Sequence, residues 1–282
     1  MKKHFLPIFL TFLFVAFSNP TFSQSTKKVN WKKLHVLVYT KNGKGYVHDN
    51  IPSAVACVQN LGKTHGFKVD SSSSPSVFTK ENLAQYDLLV FTSTNNDVFD
   101  TDEQRLVFRQ YIEAGGGLVG VHSVVGTERN WKWFKQMIGC TFSWHARFQK
   151  YKVKIIDKTH PSVNGLPTVW EREDECYFEK EMYAGIHTFM VQDVASLKTD
   201  EKDAEKVKQN MGSFVDYYPA AWHNFFDGGV VWVTTLGHDK KDYSEPVFMR
   251  HILQGIEFVA ANCPKTKNYS KAYAQHHNDV VR

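Results

Sequence analysis

The chain has 282 residues, 42% of them hydrophobic, a formal charge of +5 and four cysteines. That length suits one large α/β domain or two small ones, and so mild a positive excess argues against an electrostatic nucleic-acid binder. The cysteines (Cys57, Cys140, Cys176, Cys263) are widely spread with no paired metal spacing, which argues against a cysteine-based zinc module and leaves any disulfide pairing open.

Residues 1–23, "MKKHFLPIFLTFLFVAFSNPTFS", combine a basic start at Lys2 and Lys3, an apolar run from Phe5 to Phe17 and a small-residue cleavage pattern at Thr21-Phe22-Ser23. The run is short for a membrane span. It reads as a signal peptide, so the mature protein is expected to be exported, to the periplasm or outside the cell, with no stable membrane insertion. Cleavage removes two lysines and no acids, taking the charge from +5 to +3. Residues 24–32 read as a polar lead-in, 33–262 as a single domain and 263–282 as a polar tail expected to fray.

Within the domain "LHVLVYT" (Leu34 to Thr40) has the continuous apolar character of a strand covered on both faces. A helix is expected from about Pro52 to a stop at Gly66, with Ala54, Val58 and Leu61 on its apolar face. "FKVDSSS" is a weaker strand and "YDLLVFTST" (Tyr86 to Thr94) a strong one. The next helix starts at a capping-box pattern, Thr101 with Gln104, and stops at Gly115. Strand Leu118 to Val121 follows at once. This alternation predicts an α/β fold with a doubly wound, mostly parallel sheet.

The later chain is looser. "NWKWFKQMIG" reads as helix, "YKVKIID" and "IHTFMVQDV" as strands, and Thr199 to Asn210 as a solvated excursion crowded with acids and lysines. "AAWHNFFDGG" precedes a hairpin-like turn at Asp227-Gly228. "GGVVWVTTLGH" is a late buried strand, and a last helix from near Ser244 carries Phe248, Ile252, Ile256 and Val259 inward.

A buried strand has no interior place for an imidazole, so His122 is expected just past the carboxyl end of Leu118–Val121, where open α/β sheets bind their ligands. His48 follows the first strand and His238 ends the last, so both belong to the same edge. His223, in "AAWHNFFDGG", is expected to join them, and Asp174 and Glu175 are the acids expected to reach the cleft. His145, His160 and His187 read as structural, with His160-Pro161 as a turn, and His276-His277 as exposed.

Several segments, "YVHDNIPSAV", "FTSTNNDVFDTDEQ", "FRQYIEAGGGLVGVHS", "NWKWF", "THPSVNGLP", "REDECY", "PAAWHNFFDGGVVWVTTLGHD" and "FMRHILQGI", taken in order, resemble the ThuA-like (trehalose utilisation) family from about Leu34 to Ala260. The resemblance implies a flavodoxin-like, class I glutamine amidotransferase-like fold and a link to sugar metabolism. The amidotransferases themselves carry a nucleophilic cysteine in the turn where His122 stands, and an imidazole cannot form their glutamyl thioester. Lys240 also stands where they place an acid two residues after the late histidine. Amidotransferase activity is therefore excluded. Within the ThuA pattern, Gly126 occupies a position where an acid is expected.

Two chemistries suit these residues. In one, His122, His223 and His238, with Asp174 or Glu175, bind a divalent ion such as zinc, which polarises a sugar carbonyl or activates water. In the other no metal is present, and imidazole and carboxylate share proton transfer beside a carbonyl, as a sugar isomerase or lyase requires. The expected catalytic groups are His122, His238, Asp174 and Glu175. His48, His223, Tyr177 and Trp222 are expected to contact a small-molecule carbohydrate. The alternative is a carbohydrate-binding module without turnover. The sequence does not settle the oligomeric state.

Overall fold

The computed structural model describes residues 28–264 and 266–280. The signal peptide expected over residues 1–23 lies outside the described residues. The first half of the domain runs β1 (His35–Tyr39), α1 (Ile51–His65), β2 (Lys68–Ser72), α2 (Lys80–Leu83), β3 (Leu88–Thr92), α3 (Asp102–Glu113) and β4 (Gly117–Val121). It continues with α4 (Lys132–Ile138), β5 (Thr141–His145), β6 (Gln149–Ile155), β7 (Val169–Asp174), β8 (Tyr177–Lys180) and β9 (His187–Asp193). The last elements are α5 (Glu201–Met211), β10 (Tyr217–Phe226), β11 (Gly229–Thr234) and α6 (Pro246–Asn262).

Among the described residues nine strands form one sheet in the order β2-β1-β3-β4-β11-β10-β9-β6-β7. From β2 to β11 all neighbours are parallel, in the 2-1-3-4-5 order of flavodoxin-like sheets, with β11 as the fifth strand. Beyond β11 the pairings are all antiparallel. The parallel sheet expected from the sequence is thus one half of the structure, and an antiparallel extension is the other. β5 and β8 pair separately as a two-stranded ribbon.

The fully buried runs of β1, β3, β4 and β11 alternate their side chains between two cores. Val36, Val90, Val119 and Trp232 meet α1 and α6 on one face. Leu37, Leu89, Leu118 and Val231 meet α3 and α4 on the other. The helix boundaries follow local chemistry. Gly66, at φ 85°, ends α1, and α3 starts at a complete capping box between Thr101 and Gln104. At the β10–β11 turn, Asp227 (φ 48°) and Gly228 (φ 89°) are both left-handed, the type I′ hairpin that an Asp-Gly pair favours.

Two segments differ from expectation. Thr199–Asn210 is mostly the helix α5, which packs Val207 and Met211 inward beneath its charged face. Part of the tail is tied to α3: Glu113 accepts hydrogen bonds from the Tyr273 and Ala274 amides, and Gln110 donates to the Ala274 carbonyl at 2.6 Å. His276 and His277 are exposed, as expected. All four cysteines are free thiols, and burial pushes Cys57 up to about 12. Among the described residues no helix is long and apolar enough to cross a membrane.

Candidate functional site

β4 delivers His122 to the carboxyl edge of the parallel block in a left-handed conformation, φ 58°. Histidine tolerates that region better than most residues, yet holding a non-glycine there costs on the order of 1 kcal/mol or more. The side chain is wholly buried. Nδ1 lies 3.0 Å from the Thr235 carbonyl, so it carries the proton, and Nε2 presents its lone pair to the Tyr177 hydroxyl at 3.1 Å. Burial holds its pKa well below the ordinary histidine value, which keeps the ring neutral.

Three other groups converge on this ring. His48, His122, Glu175 and His238 each offer one ligand atom, and those atoms all lie within 4.8 Å of one another. His48 comes from the loop between β1 and α1, and its ring centre is 4.6 Å from that of His122. Ser123 donates its single hydroxyl proton to the Thr94 carbonyl, so its oxygen receives His48 Nδ1–H at 3.3 Å and leaves His48 Nε2 with a lone pair. Burial, with the nearby His238, lowers His48 to about 4. His238 follows β11, and its Nδ1 sits 3.0 Å from Glu175 Oε2. That nitrogen is buried and lacks an aligned hydrogen-bond partner. Burial works against its cation, but Glu175 outweighs burial and the pKa is raised. Asn50 ties the first and last loops together, donating to the carbonyls of Gly237 (2.8 Å) and His238 (3.0 Å).

The β5–β8 ribbon forms one wall. It sets Tyr177 opposite His145, whose Nδ1 lies 3.3 Å from Glu175 Oε1. His145, read as structural from the sequence, thus stands beside the cluster. Two aromatic rings flank the mouth. Tyr46, 62% exposed, packs 4.8 Å from His48, and Phe148, 38% exposed, packs 5.5 Å from His238. Neither stands out in the sequence, since each lies in an irregular loop with no periodic neighbours.

Three expected site residues stand elsewhere. Asp174 faces away from the cluster. Its carboxylate accepts the amides of Glu175 (2.9 Å), Gly237 (2.8 Å) and His238 (3.1 Å) and pairs with Arg172 at 3.1 Å, so it holds the turn that carries His238. Trp222 is wholly buried against α4 and donates to the Ile138 carbonyl at 2.7 Å, capping that helix. His223, expected among the metal ligands, is opposite Trp232, nearer the hairpin turn than the site edge. In an antiparallel strand, residues closer to the turn lie farther from the carboxyl edge of the partner. It belongs to a separate stack with His160 and His187.

In that stack His160 Nδ1 accepts the Ser162 amide, so its Nε2 donates to His223 Nδ1 at 3.0 Å. His187 stacks 4.9 Å from His223 and reaches Asp157 at 2.8 Å. Burial lowers His223 to about 4 and His160 to about 3. The unfolded chain takes up these protons near pH 6.5, before the folded chain does. Stability is therefore full above about pH 6.5 and falls as the pH drops toward 4, by about 3 kcal/mol for His223. Melting temperatures between pH 7 and 4.5 should show this fall. The curve should flatten in His223→Gln, and a His223→Gln curve parallel to wild type would contradict the assignment.

A parallel α/β sheet with imidazoles and a carboxylate gathered over its carboxyl edge defines the class of protein: an α/β protein with a polar cluster at the strand ends, the edge where open sheets of this kind bind ligands. The ThuA family model, described as trehalose utilisation, matches residues 35–259, and the chain belongs to that family. The family's description supports a carbohydrate-related role. Among solved structures, a protein described as ThuA-like from Bacteroides uniformis superposes with a TM-score of 0.69 at 18% identity, covering 86% of this chain and 98% of that one. A second, from Parabacteroides merdae, gives 0.62 at 20% identity, covering 87% and 100%. These likenesses concern the fold alone. No curated protein matches the sequence.

Proposed function

We propose that this chain is an exported enzyme of carbohydrate metabolism, in which His48, His122 and His238 hold a divalent ion and Glu175 moves a proton on a bound sugar or keto-sugar. The observation that carries the reading is the convergence of three imidazoles and one carboxylate, from sequence positions 48 to 238, within 4.8 Å. Three features suit an ion there. His122 and His48 each have one ring nitrogen engaged by an oxygen, the outer contact that orients metal-binding histidines. His238 Nδ1 lies 3.0 Å from Glu175 Oε2, a carboxylate contact of the same orienting kind. Three imidazole ligands match the preference of zinc, and burial already keeps His48 and His122 neutral.

A fourth protein ligand would close the ion off, as in structural zinc sites, whereas a catalytic ion keeps one position open. We therefore assign Glu175 the role of base rather than ligand. A bound ion would polarise a sugar carbonyl or activate water. Tyr177, whose burial and acidic neighbours raise its pKa well above the usual phenol value, stays protonated, and with an ion on His122 Nε2 its hydroxyl would be released to donate to a substrate oxygen. Tyr46 and Phe148 offer faces on which a sugar ring stacks. In this reading the parallel block, with helices on both faces, is the doubly wound core of a class I glutamine amidotransferase-like fold.

Metal analysis of the purified chain, paired with a screen of sugars and keto-sugars with and without chelator, tests the proposal. The expected result is one ion per chain and turnover that is lost on chelation and restored by zinc. Turnover undiminished in metal-free protein would overturn the metal role. Sugar binding without any conversion would favour a binding module.

A further inference from the structure

The other arginines buried in the fold are paired with acids. Arg105 meets Glu128 at 2.8 Å, Arg109 meets Glu113 at 2.7 Å, and Arg172 lies among Asp174, Asp242 and Glu245. Arg129 is half-buried and forms no ion pair with a carboxylate of the described residues. Its Nε donates to the Gly126 carbonyl at 2.9 Å and one terminal nitrogen to Asn95 Oδ1 at 3.1 Å. The second terminal nitrogen has no protein partner among the described residues. Gly126 makes room for this arrangement: a Cβ there would fall 2.9 Å from Nη2 and 2.7 Å from Asn95 Oδ1. Burial lowers the pKa of the guanidinium, more than its neighbour Tyr177 offsets.

Two contacts place this cation at the rim of the histidine cleft. On one side it lies over Phe142, 5.1 Å from the ring centre, and Phe142 packs 4.8 Å from Tyr177 and 6.1 Å from His145. On the other, Asn95 donates to the Tyr46 carbonyl at 3.3 Å, and Tyr46 lines the mouth beside His48. We propose that Arg129 receives a carboxylate carried by the sugar, so that the substrate class is a sugar acid such as a uronoside. The inference rests on the carbohydrate reading above. With one free terminal nitrogen between an aromatic face and a neutral amide, the site suits a single negative charge, whereas a phosphate dianion calls for several donors.

Calorimetric titration of the purified chain with methyl glucuronoside, methyl glucoside and glucose 6-phosphate tests it. Wild type should bind the glucuronoside at least about tenfold more tightly than the glucoside, as one charge-assisted hydrogen bond provides. Arg129→Gln should bind the two alike, with its affinity for the neutral glucoside unchanged. Should the glutamine variant melt early, Arg129→Lys carries the same comparison, its preference falling to about threefold because the planar fork is lost. Equal binding by wild type, or undiminished preference in either variant, overturns the role of Arg129 alone. Tighter binding of glucose 6-phosphate overturns the carboxylate. Binding of none of the three overturns the carbohydrate reading and this inference with it.

Discussion

His122→Asn is expected to fold normally, to retain no stoichiometric ion and to turn over substrate roughly a thousandfold more slowly. The reasoning starts from the backbone. At φ 58° the position is costly for most side chains, and asparagine is among the few that adopt it readily. The fold should therefore survive, with a melting temperature within a few degrees of wild type. The chemistry should not: an amide lacks the basic nitrogen that His122 aims at the cluster. Plasma emission analysis for metal, a melting curve and a rate assay on one preparation separate these effects. A variant that keeps both ion and rate would remove His122 from the machinery. A variant that unfolds would point to a structural role for the ring instead.

Asp174→Ala should produce the largest loss of stability. The substitution strips three backbone amides of their acceptor and leaves the buried Arg172 with fewer counter-charges. Breaking a buried pair from one side costs about 3–5 kcal/mol, roughly a 10 °C fall in melting temperature for a domain of this size. Because Asp174 pins the amides of Gly237 and His238, the variant should also bind metal more weakly. Asp174→Asn keeps one acceptor oxygen and the shape, so it should fall between wild type and alanine. An alanine variant as stable as wild type would show that the Gly237 turn holds itself.

The parallel block was legible because β1, β3, β4 and β11 are largely apolar runs, punctuated by local signals, Thr101 with Gln104 and the glycines at 66 and 115. The antiparallel extension was legible only in part: β6 and β9 read as strands, whereas β7 and β10 did not. β10 contains Pro219, which lies at a register shift against β9 and interrupts the pattern by which a central strand is recognised. β7 reads as charged, because it alternates the buried Trp170 and Arg172 with exposed Glu171 at the sheet margin. The same division governs the site. His48, His122 and His238 follow parallel strands, so their common edge could be anticipated. Glu175 and His145 reach it through crossings that depend on β7 and the β5–β8 ribbon. His223 was misplaced because the direction of β10 decides which edge it approaches. The adjacent acids Asp174 and Glu175 could not be told apart from sequence, although one serves the backbone and the other faces the imidazoles.

The strand made last, β11, occupies the middle of the nine. Until residues 229–234 emerge and slot between β4 and β10, the growing polypeptide carries two half-sheets with raw margins, each a template for unwanted pairing. Assembly must wait for the most sequence-distant partners, which slows it. The imidazole nest cannot preorganise before that insertion, since His238 lies beyond it. Loading of any ion therefore belongs after closure of the sheet, and chains shortened before residue 229 should accumulate as aggregates rather than as smaller native domains.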